Sequence, residues 1–149
     1  MDTRARVRPA WYFWAVGVVG LLWNGMGAYD YYMTRTRDLE YLNQATDGHA
    51  AVFMKWHDAS GPLVQIGWPL GVWLSLAGAV LLLARSRHAV TAYAVSLGGA
   101  LASFAAQLTG PFPHEINRSG MVVMAVVISC IITFQLWFAW WNRRRRIIG

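Results

Sequence analysis

Six hydrogen-bonding side chains lie within or at the edges of long apolar runs and are candidates for binding a ligand. Their groups are amides, a hydroxyl, an indole and a single carboxylate, which suit recognition of a small molecule better than acid–base catalysis. Polar groups buried in membrane segments are often functional. We therefore predict a shallow ligand pocket lined by Asn24, Asp30, Gln65, Trp68, Ser103 and Gln107.

The same residues have a second interpretation as contacts between helices. Asn24 would then donate a hydrogen bond to a neighbouring helix, and Asp30 would anchor the end of its own helix at the membrane interface. The two residues are six positions apart, so on one helix they point about 120° away from each other. Asn24 is therefore expected to face the other helices, and Asp30 to reach a site only from the helix end.

No residue pattern indicates catalysis, a metal or a cofactor. The pairs His57-Asp58 and His114-Glu115 offer metal-ligating groups, but they lack the helical His spacing of a zinc site. Cys130 is the only cysteine, which excludes an intrachain disulfide and a cluster held by several thiolates. We predict no catalytic residues, no metal and no cofactor.

The elements that carry these residues are four apolar runs, each long enough for a helix that crosses a bilayer. About 20 apolar residues are needed, and the backbone must be helical because lipid offers it no hydrogen bonds. The sequence predicts an all-α integral membrane four-helix bundle, up-down-up-down, in a single domain over residues 1–149. The spans are about 10–33, 62–84, 89–109 and 120–141. We expect the first to remain in the membrane as a span and not to be removed as a signal peptide, because it is too long and too rich in Trp.

Basic residues between the runs predict the orientation. Of 13 basic residues 12 are arginine, and nine fall on one face of the predicted bundle against four on the other. The positive-inside rule places the richer face, and with it both termini, in the cytoplasm. The nine are Arg4, Arg6, Arg8, Arg85, Arg87 and Arg143 to Arg146. The net charge of +6 comes largely from these arginines, which orient membrane segments. It therefore does not indicate nucleic-acid binding, and we predict no nucleic-acid partner.

Small residues at four-residue spacing predict the faces on which the spans pack. Helices in lipid associate through close backbone approach and polar contacts. Rows of this kind are Gly20, Asn24 and Ala28; Gly67, Gly71, Ser75 and Ala79; Gly99, Ser103 and Gln107; and Ser129 with Thr133. In the long outer loop, 34–61, a short helix is expected near 47–57, with Ala50, Phe53 and Met54 facing the membrane.

Two segments, WNGMGAYDYYMT from Trp23 to Thr34 and GVWLSLAGAVLLLARSRHAV from Gly71 to Val90, resemble a family of small four-span bacterial membrane proteins. Members of that family often carry the label "sugar transporter". The resemblance implies a multi-pass protein of the bacterial inner (cytoplasmic) membrane and brings no catalytic residues.

Two functions remain open at this point. One is a non-enzymatic accessory or interaction subunit of the inner membrane, embedded in the lipid bilayer as part of a larger membrane complex. The other is a small-solute, sugar-like transporter. Four helices in one copy leave little room for a water-filled path, so a transporter would work as a homo-oligomer.

Overall fold

The computed structural model describes residues 7–149, and every regular element in that range is an α-helix. The all-α prediction is therefore confirmed for the described part of the chain. Four helices are long and two are short. They are α1 (Trp11–Arg35), α2 (Leu39–Ala45), α3 (Ala50–Asp58), α4 (Pro62–Leu83), α5 (His88–Thr109) and α6 (Arg118–Arg144).

The four long helices coincide closely with the four predicted runs. By length and composition, three helices of the described chain are apolar enough to cross a membrane: α4, α5 and α6. The sequence of α1 is less apolar because it contains many Trp and Tyr residues together with Asn24 and Asp30. The three candidate spans thus indicate a membrane protein. Helix α1 is long enough to be a fourth span but is not apolar enough to count as one by composition.

Helices α4 and α5 pack most closely, because glycines let their backbones meet. A Cβ atom added to Gly67 would lie 2.7 Å from the carbonyl oxygen of Gly99, and one added to Gly99 would lie 2.8 Å from that of Gly67. The Ser96 hydroxyl donates a 2.6 Å hydrogen bond to the carbonyl oxygen of Gly71. The short turn that joins the two helices makes them antiparallel neighbours. Helix α1 packs on the α4 side of this pair and α6 on the α5 side.

One end of the bundle, which we call the arginine end, is tightly closed. A buried core there includes Phe13, Leu82, Tyr93 and Phe138 and extends to the chain terminus at Ile147 and Ile148. Arg85 ties the end together, since its Nε donates to the carbonyl oxygen of Ile147 and its Nη2 to that of Val7, each at 2.9 Å. Arg4 and Arg6, which the sequence assigns to the same end, lie outside the described residues.

The opposite end, the α2–α3 end, carries two short helices. Asp38 starts α2 by accepting a 2.9 Å hydrogen bond from the Tyr41 amide. The short helix expected near 47–57 exists as α3, whereas α2 was not predicted. The prediction that the apolar face of α3 meets the membrane is wrong, because Ala50 and Met54 are buried in a small core with Leu42 of α2.

The predicted packing faces hold for the first two rows. Gly20, Asn24 and Ala28 are buried, and so are Gly67, Gly71, Ser75 and Ala79. In the third row Ser103 is buried and Gly99 and Gln107 are half-buried. The fourth row is wrong at Thr133, which is exposed and bonds its own helix at the Ser129 carbonyl oxygen. The buried polar residues of α6 are Gln135 and Asn142.

Candidate functional site

A cavity of about 530 Å³ occupies the α2–α3 end of the bundle. Its walls come from all four long helices, and α2 and α3 cover it. Volumes of roughly 300–1,000 Å³ are usual for sites that hold small molecules. Most of the lining is apolar, with a few polar groups, which is the usual composition of such a site.

Asn24 forms the floor of the cavity. Its side chain is 4% exposed, and its amide donates to the carbonyl oxygen of Ser75 at 3.2 Å and to Oε1 of Gln135 at 3.3 Å. These bonds join α1 to α4 and α6 in the middle of the bundle. The expectation that Asn24 faces the other helices is confirmed, and its amide closes the cavity toward the arginine end.

Asp30 lies at the opposite edge of the cavity and is exposed. Its carboxylate accepts a 2.7 Å hydrogen bond from the Tyr41 hydroxyl, which fixes α2 to α1. Burial, the hydrogen bond to Asp30 and the negative charge of Asp30 raise the pKa of Tyr41 to about 12. Tyr41 therefore stays a hydrogen-bond donor at neutral pH and is poorly suited to acid–base catalysis.

Trp68, Ser103 and Gln107 also line the cavity. Ser103 is almost fully buried and accepts a 3.0 Å hydrogen bond from the Gln107 amide. The Trp68 ring makes edge contacts at 4.9 Å with the rings of Tyr31 and His57. The structure thus brings five of the six predicted residues around one space.

Gln65 is the exception. It does not line the cavity, and its amide donates a 2.9 Å hydrogen bond to the main-chain carbonyl oxygen of His57. Gln65 therefore holds α3 against α4 behind the cavity wall.

His57 lines the cavity, although the sequence analysis named it only in a His–acid pair and not among the predicted pocket residues. It is 4% exposed and lies between the ring of Phe53, stacked at 6.0 Å, and that of Trp68. Its Nε2 atom is buried and has no hydrogen-bond partner among the described residues. An unpaired buried imidazole nitrogen costs free energy, so it is the group in this cavity with most to gain from a ligand.

A signal for His57 was present in the sequence. Ala50, Met54 and His57 follow one another at spacings of four and three, so they share one face of a helix. His57 therefore lies one turn beyond the predicted apolar stripe of Ala50, Phe53 and Met54, on the same face of the helix. The sequence did not show that this face of α3 packs against the rest of the protein.

The hydrogen bonds and ring contacts between α1 and α6 lie in the half of the bundle next to the arginine end. Phe13 stacks on Phe138 at 6.2 Å, and Asn24 bonds Gln135. Beyond Asn24, no hydrogen bond or ring contact joins the two helices, both of which are fully described. We call the region between these parts of the two helices the α1–α6 gap; it is bordered by Gly27 and Asp30 on α1 and by Met124 and Ile128 on α6, all of which line the cavity.

No family model, curated protein or solved structure matches the chain. What the site can do must therefore follow from its geometry. Within residues 7–149, no group of three or more His, Cys, Asp or Glu side chains is placed to hold a metal ion. The described polar groups form hydrogen bonds around an apolar cavity, and that arrangement suits reversible binding of a small molecule.

Proposed function

We propose that the protein is a non-enzymatic, four-span membrane protein that binds a small molecule in the cavity at its α2–α3 end. The cavity of about 530 Å³, with its buried and unpaired His57 nitrogen, carries this proposal. Its lining combines apolar side chains with a few hydrogen-bonding groups, as ligand sites do.

The four-span topology is part of the proposal. Helix α1 has 25 residues, about 37 Å at 1.5 Å per residue, which is long enough to cross the apolar layer. It packs along α4, and Asn24 gives it hydrogen bonds to both α4 and α6. Its Trp and Tyr rings cluster toward its ends, the depth that amphipathic rings prefer.

The arginine end, with both termini, would lie in the cytoplasm and the cavity on the outer side of a bacterial inner membrane. The WNGMGAYDYYMT segment supports membership of the small four-span bacterial family.

A cavity-filling pair of variants tests ligand binding. Ile128 is half-buried and lines the cavity, whereas Val127 on the same helix is exposed and does not. Sugars, polyols and single-chain amphiphiles would be screened against the purified protein by thermal shift in detergent. A ligand that stabilises the wild type and Val127→Trp but not Ile128→Trp supports the proposal. A stabilisation equal in both variants, or none with any compound, contradicts it.

Transport of a small, sugar-like solute by a homo-oligomer is a second candidate. The observation in its favour is that the Asn24 hydrogen bonds close the cavity toward the arginine end, as one state of a transporter would be closed toward one face. Uptake of labelled hexose into proteoliposomes, lost in Ile128→Trp, would support transport. Absence of uptake beside retained binding would leave a binding subunit.

An accessory role in a larger membrane complex is compatible with binding. Many large apolar side chains of the long helices are exposed, among them Leu22, Val19 and Val126. Such surface faces either lipid or another membrane protein. Purification in native lipid shows which: a defined larger partner supports an accessory subunit, and a stable homo-oligomer supports the transporter.

A further inference from the structure

The exposure of cavity-lining residues on α1 and α6 points to a lateral opening of the ligand cavity. The hydrogen bonds and ring contacts between these helices lie at or below the level of Asn24 and Gln135. Beyond that level Met26 is 68% and Met124 51% exposed, and Gly27 has no side chain to fill the space. The gap opens on the same apolar helix surfaces that would face lipid.

Polarity varies along the cavity. The end under α2 and α3 holds Asp30, Tyr41, His57 and Gln107. The space between that end and the floor is lined by apolar side chains, including Val72, Phe104, Ile128 and Ile132. A molecule with a polar head and an apolar tail matches this gradient, and its head would lie at the level of the membrane interface, as in the bilayer itself.

The charge of the cavity lining limits which kinds of polar head group the ligand can have. Asp30 is the one formally charged side chain of the described lining, and it is negative. It disfavours an anionic head, because like charges at short distance repel. The unpaired His57 nitrogen needs a hydrogen-bond partner, and a hydroxyl can either donate to it or accept from it.

We propose that the ligand is a non-anionic, single-chain amphiphile with a hydroxyl-bearing head, which reaches the cavity from the bilayer through the α1–α6 gap. This inference rests on the proposed binding function and adds the ligand class and the route. The head lies beside His57 under α3, and the chain lies along α6 toward Ile132.

Two glycines of α1 provide a matched test of the route. A Cβ atom added to Gly27 or to Gly25 meets no other atom within 4 Å, so both positions accept a side chain. Gly27 lines the cavity at the gap, whereas Gly25 does not. Gly27→Phe should therefore obstruct the gap, while Gly25→Phe places the same ring elsewhere on the helix.

The measurement is native mass spectrometry of the detergent-solubilised protein, titrated with monooleoylglycerol, oleate or glycerol. We expect monooleoylglycerol to bind at one site, and oleate and glycerol to bind about tenfold or more weakly. Native mass spectra recorded at successive times after mixing give the association rate. Gly27→Phe should slow the association of monooleoylglycerol about tenfold, and Gly25→Phe should leave its rate within about twofold of wild type.

A second pair of variants tests the head-group contact. His57→Phe keeps an aromatic ring beside Phe53 and Trp68 but removes Nε2, so we expect about three- to tenfold weaker binding of monooleoylglycerol. The control is His49→Phe, at an exposed residue outside the cavity. Equal loss in both would contradict a specific contact at His57.

The results separate this inference from the proposed function. Binding of glycerol or a hexose that Ile128→Trp abolishes, without binding of monooleoylglycerol, overturns the amphiphile and keeps the ligand site. An association rate of monooleoylglycerol that Gly27→Phe does not change overturns the lateral route. Binding of none of these compounds in a way that depends on Ile128 overturns both.

Discussion

At the scale of single residues, two buried polar side chains of the cavity differ in what they have already bonded. The Asn24 amide donates hydrogen bonds to the carbonyl oxygen of Ser75 and to Oε1 of Gln135, and these bonds hold three helices together. The Nε2 atom of His57 has no partner in the described chain. Asn24 is thus primarily a structural residue, and His57 is the one available to a ligand.

His57 should make the stability of the protein depend on pH. Burial lowers the pKa of His57; Asp58 acts in the opposite direction, and Arg35 and Arg37 lower it further. The unfolded chain then binds a proton at higher pH than the folded protein does. The stability contributed by neutral His57 is therefore complete above its unfolded pKa, near 6.5, and is lost as the pH falls toward the folded pKa.

We expect the melting temperature in detergent to fall between pH 7.5 and pH 5, and the fall to be smaller in His57→Phe. His49→Phe, the same substitution at an exposed residue outside the cavity, is the matched control variant. A slope unchanged in His57→Phe would show that the pH dependence comes from other groups.

Asn24 and Asp30 should respond differently to substitution. Asn24→Leu removes both hydrogen bonds and leaves Oε1 of the buried Gln135 without this partner, at a cost of about 1–2 kcal/mol in free energy of unfolding. Asp30→Asn keeps an oxygen that accepts from the Tyr41 hydroxyl, so the change in stability should be under about 0.5 kcal/mol. Melting temperatures of the two variants measure this difference, and a larger loss in Asp30→Asn would make Asp30 the main structural anchor.

At the scale of elements, the α4–α5 pair is the rigid part against which the cavity is built. Gly67 and Gly99 bring the two backbones together, and the Ser96 hydroxyl bonds across the contact. Helix α1 packs on α4 and helix α6 on α5. The cavity lies among these four helices, beyond the level at which Asn24 bonds Gln135.

The α4–α5 contact should not tolerate a methyl group at Gly67. The added Cβ atom would lie 2.7 Å from the carbonyl oxygen of Gly99, which is main chain and cannot turn away. We expect Gly67→Ala to lower the free energy of unfolding by about 1–3 kcal/mol. Gly98→Ala is the matched control on α5, since its Cβ atom meets nothing within 4 Å. Equal melting temperatures of the two variants would mean that the helices separate without cost.

At the scale of the whole molecule, the two ends differ in charge and in closure. Seven of the described arginines lie at the arginine end: Arg8, Arg85, Arg87 and Arg143 to Arg146. There the chain terminus is folded into the core through Arg85. The other end carries the short helices and the cavity. This asymmetry in charge agrees with the proposed topology, in which the arginine end is cytoplasmic.

Reporter fusions test the four-span topology. Fusions after Gly149 and after Ser86 should both report a cytoplasmic location, and one inserted at Gly48 should report the outer side. The reason is the nine-to-four distribution of basic residues between the two predicted faces. An amino-terminal reporter provides the control for α1, since it is cytoplasmic only if α1 crosses the membrane. An outer carboxyl terminus would overturn the model of four spans.

The sequence alone determined the four long helices and much of their packing faces. Uncharged runs of this length have few alternatives to a helix, and small residues at four-residue spacing define a face wherever the helix lies. The same local rules found Asn24 as a contact residue and the helical stripe of α3. These features depend on neighbours within a few turns, so the order of residues is enough to predict them.

Only the tertiary structure decided which polar residues surround one space. Gln65 and Gln135 are both amides of long helices, yet Gln65 bonds the main chain of α3 behind the wall and Gln135 bonds Asn24 at the floor. His57 became a site residue because the face of α3 turns toward Trp68 and not toward lipid or water. Both outcomes depend on how helices far apart in the chain are rotated and spaced, and local hydropathy carries no information about those distances.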